Sequence, residues 1–155
     1  MTFRFEKLTT KAQEAIANAQ SFAGSQGHAE ITAIHVLLAL LQESDGIVPA
    51  LVDKIDAPKQ QLIDTVGNEV QRLPSSSSSS QPNISRSLQQ VLDSAAKTAQ
   101  SMQDEFVSTE HLLLALSDEQ DAAEVLDACE VDIGVLKEEL TRFLDEDSSS
   151  LVRED

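Results

Sequence analysis

One twelve-residue pattern occurs twice in the chain, and this internal repeat constrains the fold more than any other sequence feature. Residues 29–40 read AEITAIHVLLAL and residues 105–116 read EFVSTEHLLLAL, so the copies lie 76 positions apart. In each copy a hydroxyl residue follows a β-branched residue and precedes a run of Leu and Ala, which is typical of the start of a short buried helix. The sequence therefore predicts two related half-domains.

The repeat extends on both sides of this pattern. Before the first copy, apolar residues recur at three- and four-residue steps and predict an amphipathic helix that ends near Gly24 and Gly27. The same stripe recurs 76 positions later, and each copy continues with a short and a longer helix, predicted at 47–55, 58–73, 122–129 and 133–144. We therefore predict an all-α fold, a pseudo-two-fold tandem repeat of two four-helix units with about eight helices.

A serine-rich segment separates the two copies. Pro74, six consecutive serines and Pro82 offer nothing apolar to bury, so we expect a linker there. A phosphorylation site in the serines is the alternative. The predicted organisation is one domain over residues 1–147, made of repeat one at 3–73, the linker at 74–83 and repeat two at 84–144, followed by a flexible acidic tail or linker at 148–155.

The charge of the chain narrows its possible partners. The net charge is -16, with six Lys/Arg against nine Asp/Glu in residues 1–74 and five against eighteen in residues 75–155. Nucleic acid binding requires a clustered basic face, which this sequence lacks. We expect no nucleic acid partner, whereas a basic partner is compatible with the acidity.

The chain also lacks signals for export or membrane insertion. It shows no leader pattern and no apolar stretch of about 20 residues. The single cysteine, Cys129, lies in an apolar helical run and is expected to pack in the core rather than act as a nucleophile. We expect a cytoplasmic protein in a reducing compartment, with no membrane partner.

Catalytic motifs are absent from the sequence. There is no phosphate-binding GxxxxGK[ST], no GxSxG and no HExxH, so we expect no catalytic site, no cofactor and no nucleotide hydrolysis. His35 and His111 occupy the same position in the two copies, and a pseudo-two-fold could bring them together. Two imidazoles need further ligands to hold a metal, so a packing or helix-capping role is favoured. A small metal-dependent enzyme using both histidines and nearby acids is the alternative.

Together these features resemble a known family. Residues 5–13, FEKLTTKAQ, followed by the echoed helix and two four-helix copies, are similar to the N-terminal Clp repeat domain of Clp-family AAA+ chaperones, closest to the ClpB disaggregase type. The resemblance covers residues 3–144. It implies a monomeric binding domain that captures unfolded or aggregated polypeptide, or an adaptor, for an ATP-driven ring outside this sequence. The alternative is a stand-alone Clp-repeat adaptor or regulatory protein without a ring.

The resemblance also implies a substrate-binding site. In ClpB-type domains a threonine and two acids contribute to substrate handling, and the matching residues here are Thr9, Asp104 and Glu110. We expect these three on one exposed rim, where carboxylates would bind backbone N–H groups or basic side chains of an extended polypeptide. The alternative is that Thr9 and Glu110 only stabilise the starts of helices.

Overall fold

The structure, a computed structural model, describes residues 5–43, 46–75 and 81–148 of the chain, with side chains up to residue 146. Its described part contains eight α-helices in two sets of four. The first set comprises α1 (Thr10–Ser25), α2 (Ala33–Leu41), α3 (Ile47–Lys54) and α4 (Lys59–Gln71). The second set comprises α5 (Arg86–Ser101), α6 (Thr109–Leu116), α7 (Gln120–Ala128) and α8 (Ile133–Ser148). The predicted all-α tandem repeat is confirmed.

Each set begins with a capped amphipathic helix. The Thr9 Oγ1 atom accepts a hydrogen bond from the Ala12 N–H at 3.1 Å, and the Ser85 Oγ atom accepts one from the Leu88 N–H at 3.1 Å. These caps satisfy backbone donors that a helix start otherwise leaves open. The predicted stripes face the core, with these residues buried in α1 and α5: Ala12, Ala15, Ile16, Ala19, Ala23, Leu88, Val91, Leu92, Ala95 and Ala99.

The two repeated helices, α2 and α6, lie at the centre of the molecule. All nine residues of α2 are buried, and seven of the eight residues of α6 are. α2 packs against α1 and α4 of its own repeat, and α6 against α5 and α8. Contacts between the repeats follow the same symmetry. α2 contacts α7, and the equivalent α6 contacts α3. In the same way α4 contacts α7, and the equivalent α8 contacts α3.

Two short strands, which the sequence did not predict, tie the repeats together. β1 (Glu30–Ile31) pairs in parallel with β2 (Asn83–Ile84), and Ile31 lies opposite Ile84. A parallel bridge between Leu8 and Val107 is the equivalent contact on the other side of the pseudo-two-fold. Two-residue strands are too short to show an alternating pattern, so periodicity could not reveal them. Asn83 thus belongs to β2, although we had assigned it to the linker.

The same turns end the first and third helices of both repeats. Gly27 and Gln103, which follow α1 and α5, have φ angles of 72° and 61°. Asp56 and Glu130, which follow α3 and α7, have φ angles of 58° and 61°. Left-handed residues at these positions close helix C-termini. The repeat therefore extends to backbone conformation even where the residue types differ.

The helix ends differ from the predicted ones by a few residues. α8 continues to Ser148, four residues beyond its predicted end at Leu144. Leu144 is fully buried, and polar residues can extend an anchored helix into solvent. Half of the predicted linker, residues 76–80, and the rest of the predicted tail, residues 149–155, lie outside the described residues.

Two smaller expectations concern the single cysteine and membrane-spanning helices. Cys129 is 2% exposed and packs in the core, as predicted. Over the described ranges 5–43, 46–75 and 81–148, the structure contains no helix with the length and apolar character needed to cross a membrane.

Candidate functional site

Thr9 lies where the chain passes from a parallel bridge into α1. Its N–H donates to the Val107 carbonyl oxygen at 2.9 Å, while its side chain caps α1. The adjacent residue, Leu8, forms the bridge to Val107 and is 2% exposed. Thr9 itself is 7% exposed. Its side chain therefore serves the helix start, and its backbone ties α1 to the segment before α6.

Asp104 lies on the other side of the same bridge and holds a buried histidine. Its Oδ2 atom is 2.9 Å from the His111 Nε2 atom, and the two side chains are only 4% and 0% exposed. The Ser108 N–H donates to His111 Nδ1 at 2.9 Å, and the His111 N–H donates to Ser108 Oγ at 3.3 Å. Because Nδ1 accepts, Nε2 carries the proton and donates it to Asp104. The expected capping role of His111 is confirmed.

Glu110 occupies the first turn of α6 but is turned inward. It is 5% exposed, and the Thr109 hydroxyl donates to its Oε1 atom at 2.7 Å. Burial raises the pKa of Glu43, Lys11 lowers it, and the negative charges of Glu14 and Glu110 raise it further. Glu110 therefore belongs to a group of charged side chains between α1, the end of α2 and the start of α6.

The structure gathers the three predicted site residues around the Leu8–Val107 bridge, but it does not expose them. The side chains of Thr9, Asp104 and Glu110 are all nearly buried, so the expectation of an exposed rim was wrong. The reason is local, since two of the three side chains satisfy groups at helix starts and the third holds His111. Their assignment to substrate binding stays a prediction.

Repeat one contains an equivalent network with a different partner. The Thr32 N–H donates to His35 Nδ1 at 2.8 Å, so His35 Nε2 carries the proton and donates it to His28 Nδ1 at 2.9 Å. The proton of His28 is then on Nε2, which is buried and has no hydrogen-bond partner among the described residues. Burial, and then the neighbouring His28, lower the pKa of His35 to about 4.

The two histidine networks lie apart from one another in the described part of the chain. His35 and His111 each bond within their own repeat rather than to one another. In the part of the chain that the structure describes, no three His, Cys, Asp or Glu side chains group closely enough to hold a metal ion.

An apolar groove lies beside the strand pair. It has a volume of about 790 Å³ and runs between the outer face of α1 and the β1–β2 pair. Leu8, Ile16 and Ile31 form a buried apolar floor, and Phe5, 42% exposed, stands at one end. Its other lining residues are Glu6, Gln13, Ala17, Gln20, Pro82, Asn83 and Ile84. Apolar clefts with a few polar groups are the usual form of binding sites.

The sequence patterns do not predict this groove. Helical periodicity indicates only that apolar residues such as Ile16 face the core, and Phe5 belongs to the motif that carries the resemblance. The groove depends on the pairing of β1 with β2, which brings together residues 53 positions apart. A sequence signal did exist, because Phe5 is a large aromatic residue that the helical stripe of α1 does not accommodate.

Relatives of known sequence match most of the chain. The chaperone protein ClpB of Rhodopirellula baltica is 44% identical over 117 residues, which are 76% of this chain and 13% of that protein. The chain thus spans only a small part of the length of this relative.

Solved structures share the fold. The Hsp104 N-terminal domain from Candida albicans superposes with a TM-score of 0.82 at 22% identity, covering 88% of this chain and 91% of that one. The ClpV N-domain, solved as a complex with a VipB peptide, superposes with a TM-score of 0.69 at 18% identity, covering 91% and 89%. The sequence pattern of the Clp repeat (R) N-terminal domain matches residues 7–127, and the chain belongs to this family.

Proposed function

We propose that this domain is the substrate- or adaptor-binding N-terminal domain of a ClpB-like ATP-dependent chaperone. It captures unfolded or aggregated polypeptide for an AAA+ ring and has no catalytic site of its own. Membership of the Clp repeat family supports this function, as does the likeness to ClpB. The observation that carries the proposal is the apolar groove between α1 and the strand pair, with the exposed Phe5 at its end.

The groove suits weak and sequence-tolerant binding. Its floor offers Leu8, Ile16 and Ile31 to apolar side chains, and its polar edge includes Gln13 and Asn83. An extended polypeptide can place an apolar residue against this floor without any unique partner. We expect micromolar or weaker affinity, about -8 kcal/mol or less favourable.

The predicted site residues fit this function through the groove. Leu8 lines it, and Leu8 is fixed by its bridge to Val107 and by the hydrogen bond from Thr9. Asp104 and His111 hold the segment that carries Val107. In this proposal Thr9 and Asp104 position the groove, whereas Glu110 contributes negative potential through the charged group near Lys11.

The fold is compatible with this proposal. The ClpV N-domain that was solved as a complex with a VipB peptide has the same fold as this chain. A reducing, cytoplasmic location agrees with a single cysteine that is buried in the core. We further propose that the isolated domain is monomeric.

The test is a titration of a fluorescein-labelled, permanently unfolded casein against the domain, followed by fluorescence anisotropy. Ala17→Asp places a charge on the exposed wall of the groove, and Phe5→Ala removes its aromatic end. Gln61→Asp, on the exposed face of α4, is the matched control for an added charge. We expect both groove variants to bind casein at least fivefold more weakly and the control to bind as the wild type does.

The predicted site residues are tested in the same titration. Thr9→Ala, Asp104→Ala and Glu110→Ala are measured with their melting temperatures. If the groove variants bind casein as tightly as the wild type, the groove is not the site. If the three alanine variants lose stability yet bind casein normally, their predicted role in substrate binding is wrong.

A further inference from the structure

The pseudo-two-fold creates two equivalent seams between the repeats, and among the described residues only one of them has an ion pair that crosses it. In the first seam, between α3 and α8, the Lys54 Nζ atom lies 3.1 Å from the Glu139 Oε2 atom. The hydrogen bond from Lys54, with Arg142 nearby, holds the pKa of Glu139 below its usual value. Lys54 is the last residue of α3, so its ammonium group also lies near the negative end of that helix.

The second seam, between α4 and α7, lacks this ion pair. The last residue of α7 is Ala128, where the first seam has Lys54, and Thr65 of α4 takes the place of Glu139. This equivalence follows from the matched turns after both helices, at Asp56 and Glu130. Both Ala128 and Thr65 line a cleft of about 360 Å³.

The cleft has an apolar floor and an acidic wall. Ile34 and Val125, 6% and 7% exposed, form the floor, with Leu73 beside them. The acidic lining residues are Glu69, Asp121 and Glu124.

One of these acids already has a basic neighbour. Glu69 forms an ion pair with the exposed Arg72 at 3.0 Å. Such an ion pair contributes little to stability at a solvated surface. Asp121 and Glu124 form no ion pair within the described ranges of the chain. The cleft therefore combines an apolar surface with two carboxylates that the described residues do not balance with an ion pair.

We propose that this cleft binds a lysine or arginine side chain, flanked by apolar residues, from a partner polypeptide. The internal comparison specifies the chemistry, because the equivalent position in the other seam holds a lysine that reaches across to a carboxylate. The apolar floor accommodates the methylene stem of such a side chain, while Asp121 and Glu124 receive its charged end. The net charge of -16 attracts the same class of partner over a longer range.

This surface is distinct from the groove of the proposed function. The groove lies between α1 and the strand pair, whereas the cleft lies between α4 and α7, and the two share no lining residue. A client that uses both surfaces would gain affinity from their linkage. Loss of binding at one surface is therefore measurable while the other stays intact.

The experiment uses two short fluorescein-labelled peptides, one of alternating lysine, leucine and glycine and one with glutamine in place of each lysine. Asp121→Asn with Glu124→Gln removes two charges from the cleft with little change of volume. Glu138→Gln with Asp145→Asn removes two charges from exposed positions of α8 and is the matched control. Ala128→Lys, at an exposed position, supplies the cation from within the chain.

We expect the lysine peptide to bind the wild type at least tenfold more tightly than the glutamine peptide. The cleft double variant and Ala128→Lys should each weaken the lysine peptide at least fivefold, while the control double variant stays within twofold of the wild type. Ala17→Asp in the groove should not reproduce the Ala128→Lys result. If the two double variants lose equal affinity for the lysine peptide, net charge alone explains the binding. If Ala128→Lys binds the lysine peptide as the wild type does, no side chain enters the cleft. Either result overturns the proposal.

Discussion

The two repeats contain the same buried hydrogen-bond network around a histidine, but the residue that accepts the hydrogen bond from that histidine differs. In repeat two, His111 donates from Nε2 to the carboxylate of Asp104, and in repeat one His35 donates from Nε2 to the imidazole of His28. Both bonds are 2.9 Å long, and both histidines accept the backbone N–H of the residue that caps their helix. His28 and Asp104 are equivalent residues, 76 positions apart.

This difference shows that the repeat retains geometry more strictly than chemistry. A carboxylate can accept the hydrogen bond from the histidine and leave no donor of its own unpaired. An imidazole that accepts the same bond keeps its own N–H, which in His28 is buried and has no acceptor among the described residues. The pKa of His35 is lowered to about 4 by burial and by His28, so the His35 ring is neutral near neutral pH. The two ends of one pseudo-symmetric domain should therefore respond differently to mutation and to acid.

The largest expected effect tests whether the two cores are equivalent. Leu40→Ala in α2 and Leu116→Ala in α6 each remove a side chain that is 0% exposed. Each should lower the free energy of unfolding by about 3–5 kcal/mol, because a cavity is left in a packed core. Urea unfolding followed by circular dichroism measures both variants. Losses in the free energy of unfolding that differ by more than about 2 kcal/mol would show that the two cores are not equivalent.

The next effect separates the two networks. Asp104→Ala removes the acceptor of a fully buried N–H and should cost about 3 kcal/mol. His28→Ala removes the equivalent acceptor but also the N–H that lacks a partner, so we expect a cost of only about 1 kcal/mol. Urea unfolding at pH 7 measures the difference between the two variants. A larger cost for His28→Ala than for Asp104→Ala would reverse the comparison.

Acid sharpens the same difference. The pKa of His35 is lowered to about 4, below the ordinary value of 6.5, so the folded state favours the neutral form of its imidazole. Its contribution to stability is fully present above pH 6.5 and is lost as the pH falls from 6.5 towards 4. His28→Asp copies the arrangement of repeat two and lets a protonated His35 pair with a carboxylate.

The measurement compares the wild type with His28→Asp in urea unfolding across that pH range. The wild type should lose more stability than the variant as the pH falls. His111→Gln, which leaves repeat one intact, is the control and should keep the part of the acid response that His35 contributes. Parallel stability curves for the wild type and His28→Asp would show that His35 does not contribute to acid sensitivity.

The smallest effect concerns the helix caps. Thr9→Ala and Ser85→Ala each remove a side chain that accepts a backbone N–H in the first turn of α1 or α5. Each should lower the free energy of unfolding by about 1 kcal/mol. Thr9→Ser and Ser85→Thr keep the acceptor oxygen and serve as controls. A cost near zero for both alanine variants would remove capping as the explanation for these residues.

The sequence predicted local structure and repeat symmetry well because both depend on short-range patterns. The capping role of His111, and the helix-start role that was the alternative for Thr9, follow from residue types at fixed offsets, and the structure has both. The buried stripes of α1 and α5 follow from helical periodicity in the same way.

The site could not be predicted to the same depth. Whether Asp104 and Glu110 face solvent depends on how α1 packs beside α6, which no local pattern encodes. The groove required the pairing of Ile31 with Ile84, and the acidic cleft required α4 to meet α7. These features arise from contacts between distant parts of the chain, so sequence patterns alone left them open.

We propose that unfolded polypeptide binds in the groove between α1 and the strand pair. The most direct test is a two-dimensional ¹⁵N–¹H spectrum of the labelled domain recorded during titration with unlabelled unfolded casein. We expect the amide signals that shift first to belong to residues 5–20, 30–31 and 83–84, which line or flank the groove. Shifts confined to α3 and α8, or no shifts at saturating casein, would contradict it.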